Sequence, residues 1–281
     1  MESPLGFRRV TGERSAMNDA VLFEKVGKTA VITLNRPQKK NALDQAICQA
    51  LPEVLRAART DRTVRSVVLT GAGGAFCSGF DLDGSVSSDE PVFAGREAVL
   101  DFHRWLRELQ ELEKPVIAAV DGAAAGAGFS LALMADFVFV TPKARLQSSF
   151  LCLGLVPDLS LLHWLPRLIG LSRAKEILFS ARPVGAEEAL ELGLAQVQVP
   201  AEQLVERALE YARQFDDAPL QALGLVKTLL NRSFESDRET MTQFEAMAQS
   251  LCVGSRYNSE AVRRFRDKEG LLYRGTARFM S

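Results

Sequence analysis

Little in this 281-residue chain points to metal, disulfide or membrane chemistry. Its four cysteines, Cys48, Cys77, Cys152 and Cys252, lie far apart and in no CxxC pair, so neither a disulfide framework nor a thiolate metal site is spelled out. Two histidines, His103 and His163, are too few for a multi-histidine metal centre. No apolar run approaches the roughly twenty residues a membrane-spanning helix needs. A formal net charge of −1, with acids and bases interspersed, leaves no basic surface for nucleic acid and no polybasic anchor. These absences lead us to expect a cytoplasmic protein with reduced thiols, no metal, no redox cofactor, and no nucleic-acid or membrane partner. Residues 1–20 carry Glu2, Glu13 and Asp19 and no apolar stretch, which excludes a secretory signal; we read them as a mobile extension, with Met17 as an alternative start.

What the chain does have is concentrated in residues 114–158. Lys114-Pro115 opens the apolar run Val116–Val120, too short for a buried helix and too uniformly apolar for a half-exposed strand. It reads as a central strand buried on both faces. Asp121-Gly122 turns the chain into a dense set of small residues, Ala123 to Gly128, and a helix-forming run over 129–135 follows. The amides of Gly126 to Gly128 then stand at a helix N-terminus, where unpaired N–H groups can hold a negative oxygen. A Rossmann fingerprint or P-loop would need other spacing, and Phe129 rather than a lysine or hydroxyl follows Gly128. Two readings stay open on local grounds: an oxyanion site, or a small-residue patch for close helix–sheet packing.

Along the rest of the chain, residues 21–24 and 29–34 form a hairpin signature around Val26-Gly27-Lys28. The segment LNRPQKKNAL follows, and Leu43, Ile47, Leu51, Val54 and Leu55 then fall at helical spacing. Arg36, Lys39 and Lys40 could meet a phosphate or simply be a solvated loop. A second buried strand, 64–70, enters GAGGAFCSGFDL, whose third fingerprint position is Phe76, so a dinucleotide reading fails on spacing. The loop Cys77-Ser78-Gly79-Phe80-Asp81 remains, able to turn its own amides toward a ligand. Residues 84–95 read as a flexible loop, and a mixed-charge helix over 96–113 carries His103 and Trp105 as packing residues. Asp158 is the sole acid among Val156, Pro157, Leu159 and Leu161. It is either a plain helix N-cap or a carboxylate whose desolvation raises its pKa and makes it a better base. From Ser172 the pattern is helical and amphipathic, so we expect an α/β core over 21–200 and a helical region over 201–281.

Taken in order, LNRPQKKNAL, AFCSGFDL, PVIAAVDGAAAGAGFSLAL, GLVPD with WLPRLIG, and SARPVGAEEALELGLAQVQVP resemble the crotonase superfamily of enoyl-CoA hydratases and isomerases over nearly the whole chain. The resemblance implies a spiral core of ββα units, C-terminal trimerisation helices, and an acyl-CoA thioester as substrate in a homotrimer or dimer of trimers. It places the oxyanion-hole N–H groups on Phe80 and Ala127, with Ser78, Gly79, Asp81, Leu82, Gly126, Ser130 and Phe150 around the substrate. Lys39, Lys40, Phe265 and Lys268 fall near the CoA nucleotide, the last two from a neighbouring subunit. The family's two hydratase glutamates fall on Ser130 and Phe150, so ordinary hydration is not expected. Asp158 falls where some isomerases and an aromatic-acyl-CoA dehalogenase carry their working carboxylate. The motif set is most similar to the ring-epoxide phenylacetyl-CoA isomerase branch, although Leu159-Ser160-Leu161 replaces that branch's Gly-Gly-Thr. The expectation is an isomerase that moves a proton with Asp158; a hydratase, or an inactive CoA-binding protein, is the alternative.

Overall fold

The computed structural model describes residues 14–84 and 92–275. The expected flexible loop over 84–95 therefore falls largely outside the described residues, as does the extension over residues 1–13. From Arg14 the extension is not free: β1 (Arg14–Asn18) pairs antiparallel with β2 (Val21–Val26), which makes the expected hairpin with β3 (Thr29–Leu34). Helix α1 (Gln45–Thr60) leads to β4 (Ser66–Gly71), and α2 (Val92–Gln110) to β5 (Val116–Val120). Next come β6 (Ala123–Ala125), α3 (Ala127–Leu133), β7 (Phe137–Val140) and β8 (Arg145–Gln147). After them run α4 (Leu161–Ile169), α5 (Leu171–Ser180), β9 (Pro183–Gly185), α6 (Ala186–Glu191) and β10 (Val197–Gln198). The chain closes with α7 (Leu204–Arg213), α8 (Leu220–Arg232), α9 (Arg238–Val253) and α10 (Arg256–Arg266).

The main sheet has seven strands in the order β1-β2-β3-β4-β5-β7-β10, and every pair from β3 to β10 is parallel. Alternation along β4 and β5 sends Val67, Leu69, Val116, Ala118 and Val120 to one core and Val68, Ile117 and Ala119 to another. The first core is filled by α1, α2 and α3; the second is closed by α7 through Ala208, Tyr211 and Ala212. β5 is thus buried on both faces, as its unbroken apolar run predicts. A second sheet, β6-β8-β9, has no counterpart in the sequence reading. Its first strand is three alanines, which carry no strand propensity and pair only because β8 lies beside them.

Two loops are shaped by a buried side chain rather than by a ligand. Asn41, fully buried and left-handed at φ 57°, accepts from Arg36 N–H and donates to the carbonyls of Ala72 and Ala75 at 2.9 and 2.7 Å. A Cβ on Gly71 would lie 2.7 Å from Asn41 Nδ2 and 2.1 Å from Ala75 O. The glycine-rich turn after β4 therefore wraps an asparagine instead of a pyrophosphate.

Candidate active site

The site grows from two loops held edge to edge. Phe76 and Cys77 both donate from the backbone to Ala123 O at 3.0 and 2.9 Å, and Ala125 N–H donates back to Cys77 O at 2.9 Å. Beyond this bridge, Gly79 (φ 99°) and Gly126 (φ 52°) come together: the Cβ position of Gly126 is 3.9 Å from Gly79 Cα, and that of Gly79 is 3.6 Å from Ala127 N. Each of these left-handed glycines precedes one expected donor, so the amides of Phe80 and Ala127 issue from backbones in contact. Among the described residues neither amide donates a hydrogen bond. Leu43 N–H to Gly79 O (2.7 Å) and Asp81 N–H to Leu43 O (3.0 Å) secure the first loop on either side of the Phe80 amide. In α3, Phe129 and Ser130 donate to Gly126 O, whereas Ala127 has no carbonyl one turn behind it.

The helix starts at Ala127, two residues earlier than the sequence pattern suggested, because the turn at Gly126 frees it to begin. Gly128 then lies directly on the first loop, where a Cβ would stand 2.0 Å from Cys77 O. Gly128→Ala is expected to push the loops apart and cost about 3 kcal/mol, lowering the melting temperature by about 10 °C. A thermal melt checks this, and an unchanged midpoint would show that the loops are not packed this tightly.

Asp158 follows buried Pro157 and precedes buried Leu159. Its Oδ1 is shielded from solvent and has no hydrogen-bond partner among the described residues. Desolvation pushes its pKa up to about 6, opposed weakly by its own backbone N–H. The N-cap reading fails: the cap of α4 is Ser160, which makes no side-chain capping bond. The Asp158 carbonyl is reached from α3, for Ser130 Oγ donates to it at 3.1 Å. Ser130 lies three residues beyond Ala127, so the residue that binds the acid's main chain is about 5 Å along the helix axis from the second donor.

Several expected substrate contacts turn out to be internal. Ser130 is 1 % exposed, and its hydroxyl donates to Asp158 O at 3.1 Å, with Gly126 O in the first turn of α3 at 3.5 Å. The Asp81 carboxylate is held by Arg36 at 2.7 Å and by Asp83 N–H, and Arg36 keeps its pKa below the usual carboxylate range. Arg36 also pairs with Asp44 at 3.1 Å, which removes it as a phosphate ligand. Ser78 Oγ donates to Lys39 O and its N–H to Lys40 O, both at 3.0 Å. This stitches the lysine loop to the donor loop, so Lys39 and Lys40 do come to the site, both exposed, with Lys39 leaning on Asp83. Phe150 packs over Gly126, its ring 3.8 Å from where a Cβ would stand, and is 7 % exposed, while Leu82 is 55 % exposed. Phe80 turns its half-buried ring onto Phe102 at 4.6 Å, beside half-buried Trp105 and Trp164 on the same core. Phe265 and Lys268 lie on and just after α10, which packs on α9, and no hydrogen bond or ion pair among the described residues joins them to the lysine loop. Among the described residues no three His, Cys, Asp or Glu side chains cluster as metal ligands, and no helix is long and apolar enough to cross a membrane.

The fold and site define an α/β protein that presents two main-chain donors from touching loops, with a desolvated acid tied by its main chain to the helix that carries one of them, a set suited to holding a negative oxygen while a proton moves. The family model of enoyl-CoA hydratase/isomerase matches residues 24–275, and the chain belongs to that family, the crotonase superfamily expected from its motifs. It is 34% identical over 250 residues to a short-chain-enoyl-CoA hydratase of Clostridium acetobutylicum, covering 88% of this chain and 95% of that one. It is 35% identical over 246 residues to a 1,2-epoxyphenylacetyl-CoA isomerase of Escherichia coli, covering 87% and 94%. Among solved structures, an enoyl-CoA hydratase/isomerase from Cupriavidus metallidurans CH34 superposes with a TM-score of 0.87 at 39% identity, covering 92% of this chain and 98% of that one.

Proposed function

We propose that this chain is an acyl-CoA isomerase in which Asp158 moves a proton next to the thioester carbonyl while the Phe80 and Ala127 amides hold the enolate oxygen. The carrying observation is Asp158 itself, a desolvated carboxylate with a pKa of about 6 and an Oδ1 without a hydrogen-bond partner among the described residues, its main chain bonded by Ser130 one turn along the helix that Ala127 begins. Ionised at neutral pH, it takes the α proton; as the carboxylic acid it returns that proton at another carbon and ends unchanged. One group suffices for this shuttle, whereas water addition needs a second to activate the water. The two positions where the family's hydratases carry glutamates hold Ser130, whose hydroxyl is occupied, and Phe150, which has no acid to offer.

Coenzyme A is part of the substrate here, and no separate cofactor is used. Lys39 and Lys40 serve its phosphates. Exposed Val226, Leu230, Phe234, Met247, Leu251 and Val253 on α8, α9 and the link between them support assembly as a homotrimer or dimer of trimers, with Phe265 and Lys268 reaching a neighbour's nucleotide. The setting is cytoplasmic. The deciding measurement is product analysis on paired substrates. Double-bond shift on a 3-enoyl-CoA, faster than water addition to crotonyl-CoA, is the expected result. Hydration as the faster reaction would replace this reading with the hydratase one, and acyl-CoA binding without any turnover would replace it with a binding protein.

A further inference from the structure

The turn that carries Asp158 is held in a conformation it would not choose. Leu159 and Ser160 are consecutive non-glycine residues in the left-handed region, at φ 50° and 64°, which L side chains avoid. Local support is one main-chain bond, Leu161 N–H to Asp158 O at 3.1 Å, since neither the Asp158 carboxylate nor the Ser160 hydroxyl caps α4. Side-chain support comes from two other helices. Ser130 on α3 donates to Asp158 O at 3.1 Å, alongside Leu161 N–H on the same carbonyl at 3.1 Å. Gln110, the last residue of α2, donates from Nε2 to Ser160 Oγ at 3.1 Å.

Both helices also touch the donor loops. α3 begins with Ala127, and α2 carries Phe102, whose ring lies on Phe80. We infer that Ser130 and Gln110 are positioning residues, a two-point clamp that fixes the strained Asp158-Leu159-Ser160 turn in register with the Phe80 and Ala127 amides. The inference rests on the proposed role of Asp158. Without the clamp, relaxation of two backbone residues next to Asp158 swings its carboxylate away from the carbon it serves, while the substrate-holding loops stay in place.

The test is α-proton exchange of a saturated acyl-CoA in deuterated water, read alongside the affinity for a non-enolisable acyl-CoA and the melting temperature. Ser130→Ala and Gln110→Met are each expected to slow exchange by about ten- to hundredfold, the effect of a displacement near 1 Å, with affinity unchanged and the melting temperature lowered by no more than about 4 °C, the worth of one hydrogen bond. Ser130→Thr, which keeps the hydroxyl, restores the rate. Gln110→Met adds no further loss in a Ser160→Gly background, where the bond it breaks is already gone. Wild-type exchange in both single variants, with Asp158→Asn inactive, overturns the clamp and leaves the acid standing. Parallel loss of exchange, affinity and melting temperature, or a full Gln110→Met effect in the Ser160→Gly background, reduces these residues to structural ones. Wild-type exchange in Asp158→Asn overturns the acid and the clamp together. Gln110 is half-buried at a helix end, so its variants remain informative if Ser130→Ala fails to fold.

Discussion

Asp158→Asn lowers the rate of α-proton exchange at pH 8 by at least about a hundredfold, the usual worth of a positioned acid–base group. The amide keeps the shape of the carboxyl but cannot take a proton. Its effect on stability has the opposite sign. Burial raises the Asp158 pKa from 3.8 to about 6 in the folded protein. The neutral acid therefore favours folding at low pH, and that contribution is lost as the pH rises through 6. At pH 8 the folded protein carries an ionised, desolvated carboxylate that asparagine removes, so the variant melts at or above the wild-type temperature, and the difference closes as the pH falls toward 3.8. A dead variant that is no less stable separates loss of chemistry from loss of fold; a melting temperature well below wild type at pH 8 would contradict the burial of this acid. The wild-type rate should also fall about tenfold per pH unit below pH 6, where the base becomes protonated. A profile flat to pH 5 would assign the proton transfer to another group.

Ala127→Pro tests the other half of the site. Proline lacks the N–H but is tolerated at the first position of a helix, because the amide there has no intrahelical partner. Ala127 holds that position in α3, and its amide makes no bond among the described residues. The substitution is expected to reduce kcat by about a hundred- to a thousandfold, the loss typical of one oxyanion donor, whereas Ala127→Gly, which keeps the amide, stays near wild type. Circular dichroism and a thermal melt establish that the proline variant is folded. A folded proline variant at wild-type kcat would remove Ala127 from the mechanism.

The parts of this protein that were legible in the sequence are those encoded locally. The five-residue run of β5 could only be a buried strand, and the density of small residues after it marked where two backbones approach. Asp158 stood out as a single acid in an apolar setting, although the same residues allowed an N-cap, and only the placement of Ser160 at the cap decided between them. The rest depends on partners distant in sequence. Ser130 and Gln110 lie 28 and 50 residues from the groups they hold, and neither spacing leaves a periodic trace. Asn41 reads as one polar residue in a polar loop until the carbonyls of Ala72 and Ala75 close around it. Arg36 and Asp81 each suggested a ligand contact because charges near a motif invite one, and each was already neutralised by the other across 45 residues.

Both candidate donors are main-chain atoms, and this decides what a mutational survey of the protein would record. Truncating Phe80 or Ala127 to a smaller side chain leaves the N–H where it was, so a residue-by-residue scan would score the two most chemically engaged positions of this pair as tolerant. Sensitivity would surface instead at Gly128 and Gly122, where any Cβ meets a neighbouring carbonyl at 2.0 and 2.2 Å. Half of the machinery would thus be visible only through the spacers that hold it in place.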